Sequence, residues 1–468
     1  MSSEAFDLAV IGAGPAGMAA AATAAEQGLR VALIEGGRQL GGQYFRQPGP
    51  GLTAPWLPKL HHGRSRFERL AARVETSPRI EVLFEHQVWA VEPGFTVLTD
   101  RGPVTAADVV LATGSYERVV PFPGWDLPGV FTAGGAQALL KGNLVLAGRR
   151  VVVAGTGPLL LPVAAGLATA GAKVLGLFEA NRIRGYAKHP LPVLTNPAKL
   201  VEGIDFARQF IRNRVPVRSG LMVVEAQGTD FLEAVVVARP DGSGRRRIAC
   251  DALAVGYGLV PQIDLGLTLG CEHRMLADGT VGLRVDTNQR TSVPGFYAAG
   301  ETAGIAGVET SLVEGEIAGL AVAAAFARSR ARQAAVPDAA AAPADLRRRR
   351  DRQRGFADVI RVQHPVPAAW RDHLTPDTLV CRCEEVPARA VTEAVEDLGA
   401  CDARTVKLLT RAGMGWCQGR VCGYAVACLA RRDPTEPPAA TDLLAAAKRP
   451  LARPVPLGVL AEQDRRNK

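Results

Sequence analysis

The sequence predicts an α/β protein made of two nucleotide-binding βαβ units, followed by a small helical unit that carries four cysteines. Three observations predict it. A glycine-rich turn joins an apolar strand to an apolar helix near residue 12 and again near residue 155. The 468 residues are 47% hydrophobic and include 50 glycines but only 5% aromatics, a composition that suits tight strand-to-helix turns and excludes a disordered or fibrous chain. Five of the eight cysteines lie between residues 381 and 422, four of them in two close pairs. A chain of this length exceeds one ordinary domain and can bury a large core, so two or three domains are expected.

The first unit is FDLAVIGAGPAGMAAAATAAEQGLRVALIEGG. Gly12 permits the tight turn, Gly14 lets the backbone approach a pyrophosphate, and Gly17 lets the helix pack on the strand; the helix N-terminus, opened by Pro15 and Ala16, attracts negative charge. Glu35 ends the second strand, where a carboxylate accepts hydrogen bonds from a ribose diol. Strand, glycines, helix and acid in this order read as a Rossmann-like dinucleotide site, and Gly36, Gly42 and Gln43 are counted with it. The start, MSSEAFDLAVIGAGPAG, runs into the strand without a basic leader and an apolar core. No secretory signal is therefore expected, and the expected compartment is cytoplasmic.

The second unit, RRVVVAGTGPLLLPVAAGLATAGAKVLGLFEA, keeps Gly155 and Gly157 but has Leu160 where the third glycine belongs. A bulky side chain there holds the helix away from the strand. Glu179 ends the following strand at the ribose position. The pattern predicts the fold of a nicotinamide-type domain; NAD(P), an adenine nucleotide such as ATP, or a vacant site all fit it. This stretch is also the most apolar in the chain, but its Gly and Pro break it into strand, turn and helix. Any membrane contact is expected to be peripheral.

Two further segments, DVVLATGSYERVVPFPG and TSVPGFYAAGETAGIAGVETSLVEGEIAGLAV, complete a pattern that resembles the two-dinucleotide flavoproteins, the family of thioredoxin reductase, over residues 5–330. The resemblance implies FAD at the first site. It implies that Ala112, Thr113 and Gly114 cross between domains beside the nucleotide, and that Gly300 and Glu301 approach the flavin ribityl chain, Glu301 standing where Asp is usual. It also implies an FAD-binding domain in two parts, 1–123 and 263–330, around a second nucleotide-binding-like domain, 124–262. Disulfide reductases of this family place a redox cysteine pair beside the flavin. Here GGQYFRQ carries Gln43 and Tyr44 instead, and no Cys-x-x-Cys occurs in the chain, which excludes thioredoxin-type or glutathione-type reduction.

Of the net charge of +9, a net +4 lies in DLRRRRDRQR, near residues 345–354, with its six Arg and two Asp. One such run is not a binding groove, and no aromatic interleaving supports base stacking, so nucleic acid is not expected as a partner. The run falls in an Ala-, Pro- and Arg-rich stretch that reads as a linker, 331–376, with the arginines as a solvated face or as a contact for an acidic partner subunit.

A small domain, 377–435, follows, and a Pro/Ala-rich tail, 436–468, ends the chain. One residue separates Cys381 from Cys383, four separate Cys417 from Cys422, and thirty-three lie between the pairs. Four thiolates suit zinc or a [2Fe-2S] cluster. Structural zinc loops usually repeat a Cys-x-x-Cys knuckle in both halves, and neither half does so here. The spacing resembles bacterioferritin-associated ferredoxin, and GMGWCQGRVC resembles the variant fused to amino-acid-oxidising flavoproteins, so [2Fe-2S] is favoured over zinc. Gly413, Gly415 and Gly419 let backbone N–H groups approach an anionic cluster, and a helix beginning near Gly423 adds its dipole. The remaining Cys250, Cys271, Cys401 and Cys428 read as buried packing.

The whole order resembles the large (alpha or A) subunit of heteromeric dye-linked dehydrogenases such as opine oxidase, D-hydroxyproline dehydrogenase and hydrogen cyanide synthase. The resemblance implies a partner β subunit, similar to glycine and sarcosine oxidases, that carries its own FAD and oxidises the amine; some members have a small third subunit, and some hold FMN between subunits. FAD and a one-electron cluster in one chain imply conversion of a two-electron input into single-electron steps. The substrate is then an amino acid or opine, and the acceptor is not NAD. Two rivals remain: an NAD(P)H-dependent ferredoxin-type reductase, and a non-catalytic sensor of iron or redox state.

Overall fold

The computed structural model describes residues 5–60, 63–182, 197–331, 342–431, 433, 437–447 and 449–466. The first strand, Phe6–Ile11, is apolar and buried from Leu8 onwards and lies in the middle of a parallel sheet, between Val31–Ile34 on one side and Gly102–Leu111 on the other. Such continuous apolar runs are what a strand covered on both faces requires. Ile80–Leu83 extends the sheet beyond Val31–Ile34, Phe296–Ala298 pairs with Gly102–Leu111, and an antiparallel meander of Val88–Glu92 and Thr96–Thr99 continues it. The register sets Ile11 opposite both Ile34 and Leu111, and Leu111 opposite Ala298. The C-terminal ends of four strands therefore finish on one line, and the loops that follow converge.

The second unit repeats the plan. Its five parallel strands run in the order Val217–Ser219, Lys173–Glu179, Arg150–Gly155, Ala252–Gly256, Val130–Thr132, and a three-stranded antiparallel sheet of Met222–Gln227, Ala234–Ala238 and Arg246–Ala249 accompanies them. The helix Pro15–Glu26 packs along Val308–Ala331 with alanines and glycines in contact: a Cβ on Gly315 would lie 2.2 Å from the Ala16 carbonyl oxygen. Val308–Arg328 is the one segment among the described residues long and apolar enough to cross a membrane, and 72% of its apolar stretch is buried inside the protein.

The segment 331–376, expected as a linker, contains the helix Ala344–Gln363 and a 3₁₀ turn, Ala368–His373; its residues 332–341 lie outside the described residues. The arginine run lies on that helix, and its inner face is not solvated. Arg350 is buried, and Arg354 and Arg361 are 13% and 9% exposed. They share one face with Ala357 at the three- and four-residue spacing of a helix. The cysteine unit is a hairpin of Leu379–Cys381 and Val386–Pro387 with the short helices Ala388–Glu396, Ala403–Thr410 and Gly423–Leu429. Its Val391, Val406 and Val426 belong to the same buried cluster as Met222, Val224 and Val236 of the three-stranded sheet, so its core is continuous with the second unit.

Candidate functional site

The turn after Phe6–Ile11 is built by exclusion. Gly12 has φ +104°, and a Cβ there would come within 2.6 Å of the Ala112 carbonyl oxygen. A Cβ on Gly17 would lie 1.8 Å from the Gly12 carbonyl oxygen, which is why the helix can start so close to the strand. Gly14 differs: a side chain there meets no protein atom within 4 Å. That open space, directly before the helix start at Pro15, is where a pyrophosphate would lie against the backbone. Gly42 closes one side of it, 2.8 Å from Gly14 Cα to the position of its own Cβ. The Glu35 carboxylate is held by the backbone N–H groups of Ala13, at 2.9 Å, and Gly37, at 2.7 Å, and each oxygen keeps a lone pair for a ribose hydroxyl. Gly36 lies against the Gln87 amide. Gln43 is exposed, and its carbonyl accepts from Arg46 at 2.6 Å.

Thr113 and Gly114 are bonded to Gln262: the Thr113 hydroxyl donates to the Gln262 carbonyl at 2.8 Å, and the Gln262 N–H donates to the Gly114 carbonyl at 2.9 Å. Gly300 opens a 3₁₀ turn with φ +75°, and its N–H donates to buried Glu314 at 3.0 Å. Glu301 accepts from the Ser115 hydroxyl. Burial pushes the Glu301 carboxyl above the usual carboxylate range, with the Ser115 hydroxyl and the Arg354 guanidinium pulling the other way. These residues fit FAD: the glycine cradle, the fixed acid and the return turn meet at one edge of the sheet.

Sequence reading missed the residue that holds the return turn. Arg354 donates to both Glu314 oxygens, at 2.8 and 2.7 Å, and to the Gly300 carbonyl at 3.2 Å. A helical stripe of arginines inside the basic run was the available signal, and the density of charge around it hid it.

In the second unit Gly155 packs as Gly12 does, its Cβ position 1.8 Å from the Gly256 carbonyl oxygen. The helix that follows starts at Leu160, after Pro158 and Leu159, whereas the first starts directly after Gly14. Leu160 is buried, and the intervening turn is closed by bonds of 3₁₀ type, from Leu160 N–H to Gly157 and from Leu161 N–H to Pro158. Where a helix held away from the strand was expected of Leu160, the structure shows a helix that starts two residues later. Glu179 accepts from the N–H groups of Gly157, at 2.9 Å, and Asn181, at 3.0 Å.

Cys381 and Cys422 are buried, Cys417 is half-buried and Cys383 exposed. The thiols pair: Cys381 with Cys422, and Cys383 with Cys417. Among the described residues no three His, Cys, Asp or Glu side chains surround a single point as ligands of one ion would. The Cys381 thiol is pulled down to about 5 by the Cys422 thiol, against burial, and further by the backbone N–H groups of Gly413, Glu384 and Cys383; Cys422 is raised by the same bond and by burial. Gly413 and Gly419 have positive φ, and a Cβ on Gly415 would lie 2.3 Å from Cys383 Cβ. Four thiols in one loop of close backbone are a donor set that a [2Fe-2S] cluster would use. Cys250, Cys271 and Cys428 are buried as expected, and burial raises Cys250 to about 11. Cys401 is exposed instead, because it lies in the turn between two helices.

The cysteine loop is tied to the nucleotide body. Arg449 donates to Asp264 at 2.5 Å and to the Gln418 carbonyl at 3.0 Å, and Arg420 pairs with Asp264 at 3.3 Å. Trp125 Nε1 donates to the Leu379 carbonyl at 2.7 Å.

Residues 6–327 match the family described as pyridine nucleotide-disulphide oxidoreductase. The hydrogen cyanide synthase subunit HcnB of Pseudomonas protegens is 35% identical over 443 residues, which cover 89% of this chain and 90% of that one. The opine oxidase A subunit of Agrobacterium tumefaciens is 33% identical over 91% of this chain and 85% of its own. Among solved structures, L-proline dehydrogenase from P. horikoshii shares the fold with a TM-score of 0.64 and 22% identity, over 97% of this chain and 79% of that chain. By residues 6–327 and by its full-length relatives, the chain belongs to the pyridine nucleotide-disulphide oxidoreductase family, alongside the opine oxidase A and hydrogen cyanide synthase HcnB subunits.

Proposed function

We propose that this chain is the electron-transferring subunit of a heteromeric, flavin-dependent cytoplasmic dehydrogenase that oxidises an amino acid or opine. FAD occupies the Gly12–Gly17 turn, and Cys381, Cys383, Cys417 and Cys422 hold a [2Fe-2S] cluster. The flavin supplies two-electron chemistry and the cluster one-electron chemistry. A partner subunit that resembles glycine and sarcosine oxidases removes hydride from the substrate, and the final acceptor is not NAD.

The observation that carries this reading is the short connection between the two sites. Gln262 bonds Thr113 and Gly114 beside the nucleotide turn. Two residues on, Asp264 takes Arg449 and Arg420, and Arg449 holds the carbonyl of Gln418, the neighbour of Cys417. These partly buried ion pairs join the cysteine loop to the nucleotide body, and a fixed separation is what electron exchange between two centres requires. The relatives' names supply the heteromer and the substrate class.

The test mixes the purified chain anaerobically with candidate amino acids and opines, without and then with the partner subunit. The flavin of the chain alone is expected to stay oxidised and to bleach once the partner is added. Direct bleaching of the isolated chain by an amino acid would overturn the division of labour.

A further inference from the structure

The helix Ala344–Gln363 ends at His364, where φ −124° and ψ 53° turn the chain out of the helix, and Pro365 cannot continue it. The chain then crosses the mouth of the second glycine turn. His364 Nδ1 lies 3.2 Å from Glu179 Oε2. His364 Cβ lies 4.0 Å from the position a Cβ on Gly157 would take. Asn181 fastens the crossing: its Nδ2 donates to the Pro365 carbonyl at 3.0 Å and to Glu179 Oε1 at 3.2 Å. His364 and Glu179 are 12% and 7% exposed.

A dinucleotide needs two features of such a unit to be bare: the acid at the strand end, for the ribose hydroxyls, and the second glycine, for the pyrophosphate. One side chain stands on both. We infer that His364 is a specificity-determining residue that takes the nucleotide's place, so that the second unit is closed to NAD(P) and to adenine nucleotides by its own chain. The closure is firmly backed. Ten residues before His364, the same helix is anchored by Arg354 on Glu314 and the Gly300 turn, and Asn181 holds the far side. The later helix start at Leu160 acts in the same direction, since it sets the first helical N–H groups, which bind phosphate in an intact unit, two residues further along the chain.

The site is thus a nucleotide fold with its specificity residues satisfied internally, and a ligand must break the His364–Glu179 pair before its own contacts form. The inference concerns binding alone and stands apart from the electron-transfer reading.

The test is calorimetric titration of the full chain, with its flavin bound, using NADH, NADPH and ATP as probes. The wild-type chain is expected to show no saturable binding at millimolar nucleotide. His364→Ala, alone and combined with Leu160→Gly, is expected to bind at least tenfold more tightly, and adding Glu179→Gln is expected to abolish the gain. If His364→Ala proves unstable, His364→Ser carries the same expectation. Saturable wild-type binding that Glu179→Gln removes would overturn the inference, as would a folded His364→Ala/Leu160→Gly chain that binds none of the three.

Discussion

Gly14 and Gly17 lie three residues apart and do opposite work. Gly17 is excluded from having a side chain by the protein itself, since its Cβ would sit 1.8 Å from the Gly12 carbonyl; Gly17→Val should cost about 3–5 kcal/mol or prevent folding, as overpacking against backbone does. Gly14 has an ordinary φ of −74° and open space above it. Gly14→Val should therefore match the urea midpoint of the FAD-free wild-type chain yet be purified without FAD, which absorbance at the flavin band would report. A second residue-scale effect concerns pH. Burial pushes Asp108 up to about 6, with Arg290 opposing. A carboxyl raised in the folded state means that the folded chain binds more protons than the unfolded chain between the two pKa values, so stability falls as pH rises from about 4 to about 6. Asp108→Asn should remove that slope and raise stability at neutral pH by about 1–2 kcal/mol, after discounting for solvent screening, as measured by thermal unfolding across the pH range. Gly12, Gly14, Gly17 and Glu35 were legible in the sequence because together they leave a fixed short pattern of glycines and an acid around one strand and helix. Arg354 was not, because its partner Glu314 lies forty residues away and nothing in the local pattern singles it out.

At the scale of elements, the helix Ala344–Gln363 most changes the reading of the chain. Its outward arginines, Arg348 and Arg352, are exposed, while Arg354 reaches a buried carboxylate. Arg352→Ala should shift stability by no more than about 0.5 kcal/mol. Arg354→Met strands Glu314 without its partner and should cost about 3–5 kcal/mol. Adding Glu314→Gln should recover part of that loss, since the two residues act as one unit. Urea unfolding of the three variants separates these outcomes, and equal losses for Arg352 and Arg354 would show that the stripe does not matter. The composition that made this stretch look like a solvated linker is an average over both faces of a helix whose inner face is ionic rather than apolar. An apolar-periodicity reading finds no signal in such a helix.

For the whole molecule, the cysteine unit is a separate domain in sequence but shares a buried core with the second unit. A fragment of residues 377–435 alone loses Met222, Val224 and Val236 from that shared core and should be much less stable than the same unit in the full chain, as thermal circular dichroism would show, even though its motif is complete. The full chain should be brown and carry about two irons. Cys381→Ser should remove the iron while FAD stays bound, because the glycine turn lies on another sheet. One equivalent of zinc without iron would count against the cluster. The tail returns to the first unit as well, where Ala452 donates its N–H to the Trp89 carbonyl at 2.8 Å, so sequence-level boundaries understate how far the parts depend on each other.

The sequence by itself determined the two βαβ units, the first nucleotide turn, the weakened second turn and the four-cysteine set, because each leaves a short pattern of residue types at fixed spacing, whatever distant carbonyl its glycines then meet. Only the tertiary structure decided what those units meet. It brought Arg354 to the Gly300 turn, Asp264 to the cysteine loop, and His364 onto Glu179 across 185 positions of chain. The physical reason is that ion pairs and hydrogen bonds between distant segments depend on the direction in which helices and sheets deliver their side chains, and no local pattern records that direction.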